Sequence, residues 1–255
     1  MFDSHCHLQD LRFEGDVTVI MERSRQEGIS QMLCCGTKPS DWSAVEQFAS
    51  KYSEIIPAFG IHPWYVDEVG GEWKDLLRRY LGSNPNAAVG EIGLDFVVSP
   101  RRDDLQVEIF LDQMRVAKEF SRPVSVHCVR AWGRLLEVLE HIGEEMHGMV
   151  IHSFSGSPEI ARQLLKFGVY FSFSAAITKP DYKRAADLVQ AVPLDHLLIE
   201  TDAPDMVPYS LKDRVYLNEP ANLRYVAQKI AKFRGMSVEM LAAIATENAQ
   251  RVFCE

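Results

Sequence analysis

Eight short apolar runs, each followed by a longer stretch with helical periodicity, constrain this chain more than any other feature. The runs cover residues 1–7, 29–35, 55–61, 87–92, 124–127, 149–152, 169–173 and 197–201. Most are rich in Val, Ile and Phe without clean polar alternation, the pattern of parallel strands buried on both faces. Between them lie amphipathic stretches. In 103–120, Leu105, Ile109, Phe110, Met114 and Ala117 recur at helical spacing. Ser157, with Pro158 and Glu159 behind it, reads as an N-cap with proline at the first helical position. Gly82 and Gly168 read as helix stops, and 221–253 adds two helical patterns at the C-terminal end.

Eight strand–helix units in 255 residues predict an α/β fold, a single-domain TIM-type (β/α)8 barrel over 1–255 with additional C-terminal helices. A doubly wound sheet is the alternative. It would normally carry a glycine-rich phosphate loop after an early strand, and neither G-x-G-x-x-G nor a Walker A sequence occurs. No apolar run approaches the roughly 20 residues of a membrane span, and the N-terminal residues lack the features of a signal peptide. The five cysteines form no CxxC pair. Cys34 and Cys35 read as core filler. These features predict a soluble, cytoplasmic protein with no obligate protein partner and no membrane association. The net charge of −9 argues against wrapping an extended duplex, which calls for a basic stripe. It leaves open local capture of phosphate through bound cations.

The chemistry gathers where the apolar runs end. His5 and His7 close the first run, Glu91 stands in the fourth, His127 ends the fifth, His152 the sixth, and Asp202 follows the eighth. Residues two apart on a strand lean the same way, so His5 and His7 can converge on one ion. In a closed barrel, all these strand ends surround one mouth. Imidazole and carboxylate together suit Zn, Mn, Fe, Co or Ni, while an oxygen-richer set suits Mg. Four histidines and two carboxylates exceed what one tetrahedral catalytic ion needs, about three protein ligands and a water. Two divalent ions explain the surplus: His5 and His7 on the first, His127 and His152 on the second, Glu91 bridging with one oxygen to each. Asp202 is expected on the first ion, facing the nucleophilic water as base, ligand or both. Glu91 and Asp202 are thus the expected catalytic residues.

Around this set, His62 in Gly60-Ile61-His62-Pro63-Trp64 reads as a residue of the substrate mouth, because the metal sites are already filled. Asp95 and Glu200 are expected to orient ligands or substrate. Trp64, with Tyr65, and Phe154 are candidates for stacking on unpaired bases. Arg130, Lys179 and Arg214 are candidates for phosphate contact. His141, His147 and His196 read as structural or solvated, and 204–218 as a cap over the site or a connector.

With those residues in place, the chain resembles the TatD family of metal-dependent deoxyribonucleases, within the wider amidohydrolase-like barrels. The resemblance runs nearly end to end. It is carried by Asp3-Ser4-His5-Cys6-His7, Gly60-Ile61-His62-Pro63, Gly90-Glu91-Ile92-Gly93-Leu94-Asp95, Pro123-Val124-Ser125-Val126-His127, Ile151-His152-Ser153-Phe154-Ser155-Gly156 and Leu198-Ile199-Glu200-Thr201-Asp202-Ala203-Pro204. Gln106, Phe110, Gln113, Ala117, Asn248 and Phe253 also match. The resemblance implies a TIM-type barrel, the same six ligands and hydrolysis of DNA phosphodiesters at ends or in oligonucleotides, in several members as a 3′-to-5′ exonuclease. Two positions depart from the pattern. Val129 stands where many members have arginine, with Arg130 beside it, and Phe96 where many have tyrosine. These leave the metal ligands intact and bear on phosphate contacts. The alternative activity is an amidohydrolase or lactonase acting on a small cyclic substrate. Many such two-metal enzymes bridge their ions through a carboxylated lysine on the fourth strand, where this chain has Glu91.

Overall fold

In the computed structural model, which describes residues 1–13, 17–143 and 147–255, each of the eight apolar runs coincides with a strand, and the fourth and fifth strands continue past their runs to Asp95 and Val129. They are β1 (Phe2–Cys6), β2 (Gln31–Cys35), β3 (Ile55–Phe59), β4 (Ala88–Asp95), β5 (Val124–Val129), β6 (Met149–Ile151), β7 (Tyr170–Phe173) and β8 (Leu197–Ile199). They form one parallel sheet in sequence order. Its two ends are joined beyond β8: Cys6 bridges Ala203, the Asp202 N–H donates to the His5 carbonyl at 3.0 Å, and the His7 N–H to the Ala203 carbonyl at 2.7 Å. The result is a nearly closed barrel with the residues after β8 laid against the end of β1. That closure carries Asp202 to His5 and His7.

The connecting helices are α1 (Val17–Gln26), α2 (Trp42–Lys51), α3 (Trp73–Ser83), α4 (Asp103–Glu119), α5 (Trp132–Ile142), α6 (Pro158–Leu164) and α7 (Ala185–Ala191). Two more, α8 (Leu223–Arg234) and α9 (Val238–Phe253), complete the chain. The Ser157 hydroxyl accepts from the Ile160 N–H as a true N-cap, and Gly168 turns left-handed (φ 67°) at the end of the short 3-10 turn after α6. Gly82 does not stop α3. The helix runs one residue past it, and Asn84 closes the end, giving both its backbone N–H and its side-chain amide to the Tyr80 carbonyl. An asparagine that satisfies an orphan carbonyl ends the helix where the glycine, in open space, does not.

Two close approaches bring β3, β4 and β5 together under the mouth. A Cβ on Gly93 (φ 142°) would stand 2.0 Å from the His127 carbonyl oxygen, and one on Gly60 would stand 2.7 Å from the Gly90 carbonyl carbon. Glycine is the residue that permits both. From outside, α4 clamps the same strand ends with two buried glutamines. Gln106 accepts from the Asp95 N–H (2.8 Å) and donates to its carbonyl (3.0 Å). Gln113 does the same for Ile61 (2.6 and 3.1 Å).

Candidate metal centre

The carboxylate of Glu91 stands at the middle of the barrel mouth with its two oxygens facing different histidines. Oε2 lies 3.4 Å from His5 Nε2 and 3.3 Å from His7 Nε2. Oε1 lies 2.8 Å from His127 Nδ1 and 2.9 Å from His152 Nε2. Within each pair, the nitrogens face each other, at 3.2 Å for His5 and His7 and 3.1 Å for His127 and His152. Asp202 Oδ1 sits 3.6 Å from His7 Nε2. Nitrogen ligands at about 2.0–2.1 Å from a tetrahedral ion stand roughly 3.3 Å apart, so both histidine pairs are spaced as edges of coordination polyhedra.

The tautomers point the same way. The His7 Nδ1–H donates to the Cys35 carbonyl at 2.7 Å, and the His152 Nδ1–H to Glu200 Oε1 at 3.3 Å. His127 uses Nε2 on Asp95 Oδ2 at 3.2 Å, and His5 uses Nδ1 on the Ser125 hydroxyl at 2.9 Å. In each ring, when neutral, the nitrogen turned toward Glu91 can then be the lone pair, the arrangement of a metal-binding histidine. Glu200 Oε2 is fully buried with no hydrogen-bond partner, and the His5, His152 and Glu200 donor atoms lie within 4.8 Å of one another. Ring nitrogens that face each other beside an orphaned carboxylate oxygen are unfavourable unless a proton or a metal cation lies among them. The donor set therefore fits bound divalent metal.

His62 differs. Its Nδ1 accepts from the Trp64 N–H at 3.2 Å, which leaves the ring proton on Nε2, 3.3 Å from Glu91 Oε1. It faces the centre as a donor, although its ring nitrogen also lies within 4.8 Å of donor atoms on Glu91 and His127. Burial pushes the His62 imidazole down to about 4, so it is neutral at pH 7. Burial alone would raise the Glu91 carboxyl, but His62, His152 and His5 hold it well below the usual carboxylate range. Glu91 is ionised throughout the physiological range.

The comparisons with known proteins agree over the whole length. Residues 2–254 match the profile of the TatD related DNase family. The chain belongs to the TatD family. It is 34% identical to an uncharacterized metal-dependent hydrolase, YabD, of Bacillus subtilis, over 99% of this chain and 98% of that one. It is 31% identical to the 3′-5′ ssDNA/RNA exonuclease TatD of Cronobacter sakazakii, over 99% and 97%. The crystal structure of YJJV, a TatD homologue from Escherichia coli, superposes with a TM-score of 0.94 at 27% identity, covering 100% of this chain and 98% of that one. The protein is a metal-dependent hydrolase built on a TIM barrel, with histidine and carboxylate clusters able to bind metal.

Around the centre of this TatD-family hydrolase, the remaining candidates separate by burial. Trp64 is 56% exposed at the mouth, its indole N–H anchored on Asp95 Oδ2 at 2.7 Å. Asp95 is buried and fully engaged, by Trp64, His127 and the N–H groups of Val97 and Val98. It positions other groups and has nothing left to offer a substrate. Phe154 is 2% exposed, with its ring packed on Trp132, Phe171 and Phe173. The expectation that it stacks on a base fails, because its faces are already covered. Arg130 is exposed on the rim in a left-handed backbone conformation (φ 52°). Among the described residues, no helix is long and apolar enough to cross a membrane.

Three supporting residues were read in the sequence only as part of the family pattern, with no role assigned. Ser125 lies two positions before His127 on β5, and that alternation was the available signal. Gln106 and Gln113 stand two helical turns apart on the apolar stripe of α4, where unexplained amides call for buried partners. Glu200, expected only to orient, also accepts from the Ser153 N–H at 2.7 Å and so fixes the turn after β6.

Proposed function

We propose that this chain is a deoxyribonuclease that hydrolyses DNA phosphodiester bonds from a free 3′ end. Two divalent ions, Zn, Mg or Mn, would be shared across Glu91. His5, His7 and Asp202 would hold one ion, and His127 and His152 the other. The observation that carries this reading is the division of the two Glu91 oxygens between two histidine pairs. A single ion would leave one of the two histidine pairs with no metal to share. The relative named as a 3′-5′ ssDNA/RNA exonuclease supports the substrate class.

When bound, the ions acidify water and stabilise charge on the attacking and leaving oxygens. The protein's own share is proton management and alignment. Asp202 stands at the open side of the centre, and His7 holds it below the usual carboxylate range despite burial, so it is ionised and able to accept a proton from the attacking water. His62 presents Nε2–H to the same space and can donate a hydrogen bond to a non-bridging phosphate oxygen without carrying charge. Trp64, fixed by Asp95, offers its exposed ring to the base nearest the scissile bond.

The test is digestion of a single-stranded oligonucleotide labelled at its 5′ end, with Mn or Mg. Stepwise shortening from the 3′ end, with mononucleotide release abolished by EDTA, is the expected result. Inert DNA together with metal-dependent opening of a lactone or dihydropyrimidine would overturn it in favour of the small-substrate reading.

A further inference from the structure

The rim of the mouth is electrostatically divided. On loops after β1 to β4, every cation is neutralised by a carboxylate. Arg12 is bound to Asp10 and Asp205, Lys38 to Glu68, Arg101 to Asp103 and Arg102 to Asp67. On the other half, Arg130 follows β5, Lys179, Lys183 and Arg184 follow β7, and Lys212 and Arg214 follow β8. All six are exposed, and none enters an ion pair among the described residues. Asp181 and Asp213 share these loops without pairing to them, and Asp205 is taken by Arg12. A chain of net charge −9 therefore leaves uncompensated positive charge on one half of its mouth.

The β7 and β8 parts of that half are also one connected surface carrying aromatic rings. The Tyr209 N–H donates to the Thr178 hydroxyl at 2.9 Å, which ties the β8 loop to the β7 loop beside Lys179. Lys212 lies over the Tyr209 ring at 4.4 Å, with its ammonium 3.4 Å from the phenol oxygen. Tyr216 is 93% exposed. Unpaired cations interleaved with exposed aromatic rings suit a single strand, whose phosphates meet the cations while its bases stack. A duplex gains less, because its bases are already stacked.

We propose that the loops after β5, β7 and β8 form the track on which the phosphate backbone of a single-stranded oligonucleotide lies as it leaves the metal centre, with bases against Tyr209 and Tyr216. This rests on the phosphodiesterase reading and adds to it a direction: substrate crosses the β7–β8 side, not the β1–β4 side.

The probe is a fluorescein-labelled thymidine oligonucleotide roughly twelve nucleotides long, made uncleavable with phosphorothioate linkages. It is titrated into the metal-loaded protein by fluorescence anisotropy between about 50 and 200 mM salt. Three sets of substitutions are made separately: Lys179→Ala with Lys183→Ala and Arg184→Ala; Lys212→Ala with Arg214→Ala; and, for comparison, Lys38→Ala with Arg102→Ala. Each lost phosphate contact removes about 0.7 from the slope of log affinity against log salt. The triple set should therefore lose about 2 from the slope and roughly ten- to a hundredfold in affinity near 0.1 M salt. The comparison set should keep the parental slope.

A parental far-UV circular-dichroism spectrum and melting temperature show that each variant folds, and hydrolysis of the small diester bis(p-nitrophenyl) phosphate by the parent checks the phosphodiesterase reading separately. Parental affinity and slope in both β7 and β8 sets, or an equal loss in the comparison set, would overturn the track. If the parent cleaves neither the small diester nor a natural oligonucleotide, the phosphodiesterase reading falls first and takes the track with it. Because the two rim sets are independent, misfolding of one leaves the other to decide.

Discussion

Two residues before His5, Asp3 is sealed in the barrel wall, where the Thr201 N–H and hydroxyl hold its two oxygens (2.8 and 2.5 Å). Burial pushes its carboxyl up to about 8 from 3.8, so the folded protein keeps a proton that the unfolded chain releases. The contribution of Asp3 to stability must then fall as pH rises from about 4 towards 8, because over that window its folded form holds a proton that its unfolded form has lost. Asp3→Asn keeps the shape and abolishes the titration. Relative to the parent, it should gain stability on the order of a few kcal/mol across the same window, read by urea denaturation of the EDTA-treated proteins. A stability difference that does not change with pH would mean that Asp3 is ionised in the fold. At the centre itself, Asp202→Asn removes a proton acceptor while retaining an oxygen donor. Metal content should stay largely intact while kcat drops about 10²–10⁴-fold. Glu91→Ala should instead lower both metal occupancy, read by elemental analysis, and turnover. Near-parental rates at saturating metal would exclude a bridging role.

The strands hold the candidate ligands, and α4 holds the mouth ends of β3 and β4. Gln113→Leu would strip the Ile61 N–H and carbonyl of their partners inside the protein, at a cost of about 1–3 kcal/mol per unsatisfied group. Its effect should reach His62, one residue further on, as a raised KM with kcat less changed. Gly93→Ala would drive a methyl into the His127 carbonyl, so β4 and β5 would separate and the second histidine pair would lose its spacing. These elements also mark how far the sequence could be read. A strand buried on both faces has to be a continuous apolar run, and a barrel has to end each strand at the mouth. The eight strands and the gathering of His5, His7, Glu91, His127, His152 and Asp202 were therefore legible from periodicity and position. Trp64 and Phe154 look alike in sequence, since each is an aromatic just past a strand. Only the packing of Phe154 on Trp132 and Phe171 separates a core ring from a rim ring. Gln106 and Gln113 were visible as polar residues on an apolar stripe, but their partners lie 11 and 52 residues away, beyond what local pattern encodes.

Five separate strands, or the residues just beyond them, supply the donors, so a bound cation cross-links the barrel mouth and its binding energy adds to the stability of the whole molecule. At a free metal concentration about a hundred times Kd, one site adds about 2.7 kcal/mol. For a chain of this size that is a rise in Tm of roughly 5–10 °C, which Glu91→Ala should largely abolish. Protons compete for the same nitrogens. Burial alone would depress His7 and His152, but Asp202 and Glu91 around the first, and Glu91 and Glu200 around the second, hold both well above the usual histidine range. In the metal-free protein, both rings are therefore protonated near neutrality, and each must release a proton before its nitrogen can bind a cation. Raising the pH removes that competition, so the sign is fixed: apparent affinity, and with it the metal-induced rise in Tm, should grow from pH 6 to pH 8. Calorimetric titration in buffers of different ionisation enthalpy should show proton release on binding. A thermal shift of equal size at both pH values, with no proton release, would mean that His7 and His152 do not ligate the metal.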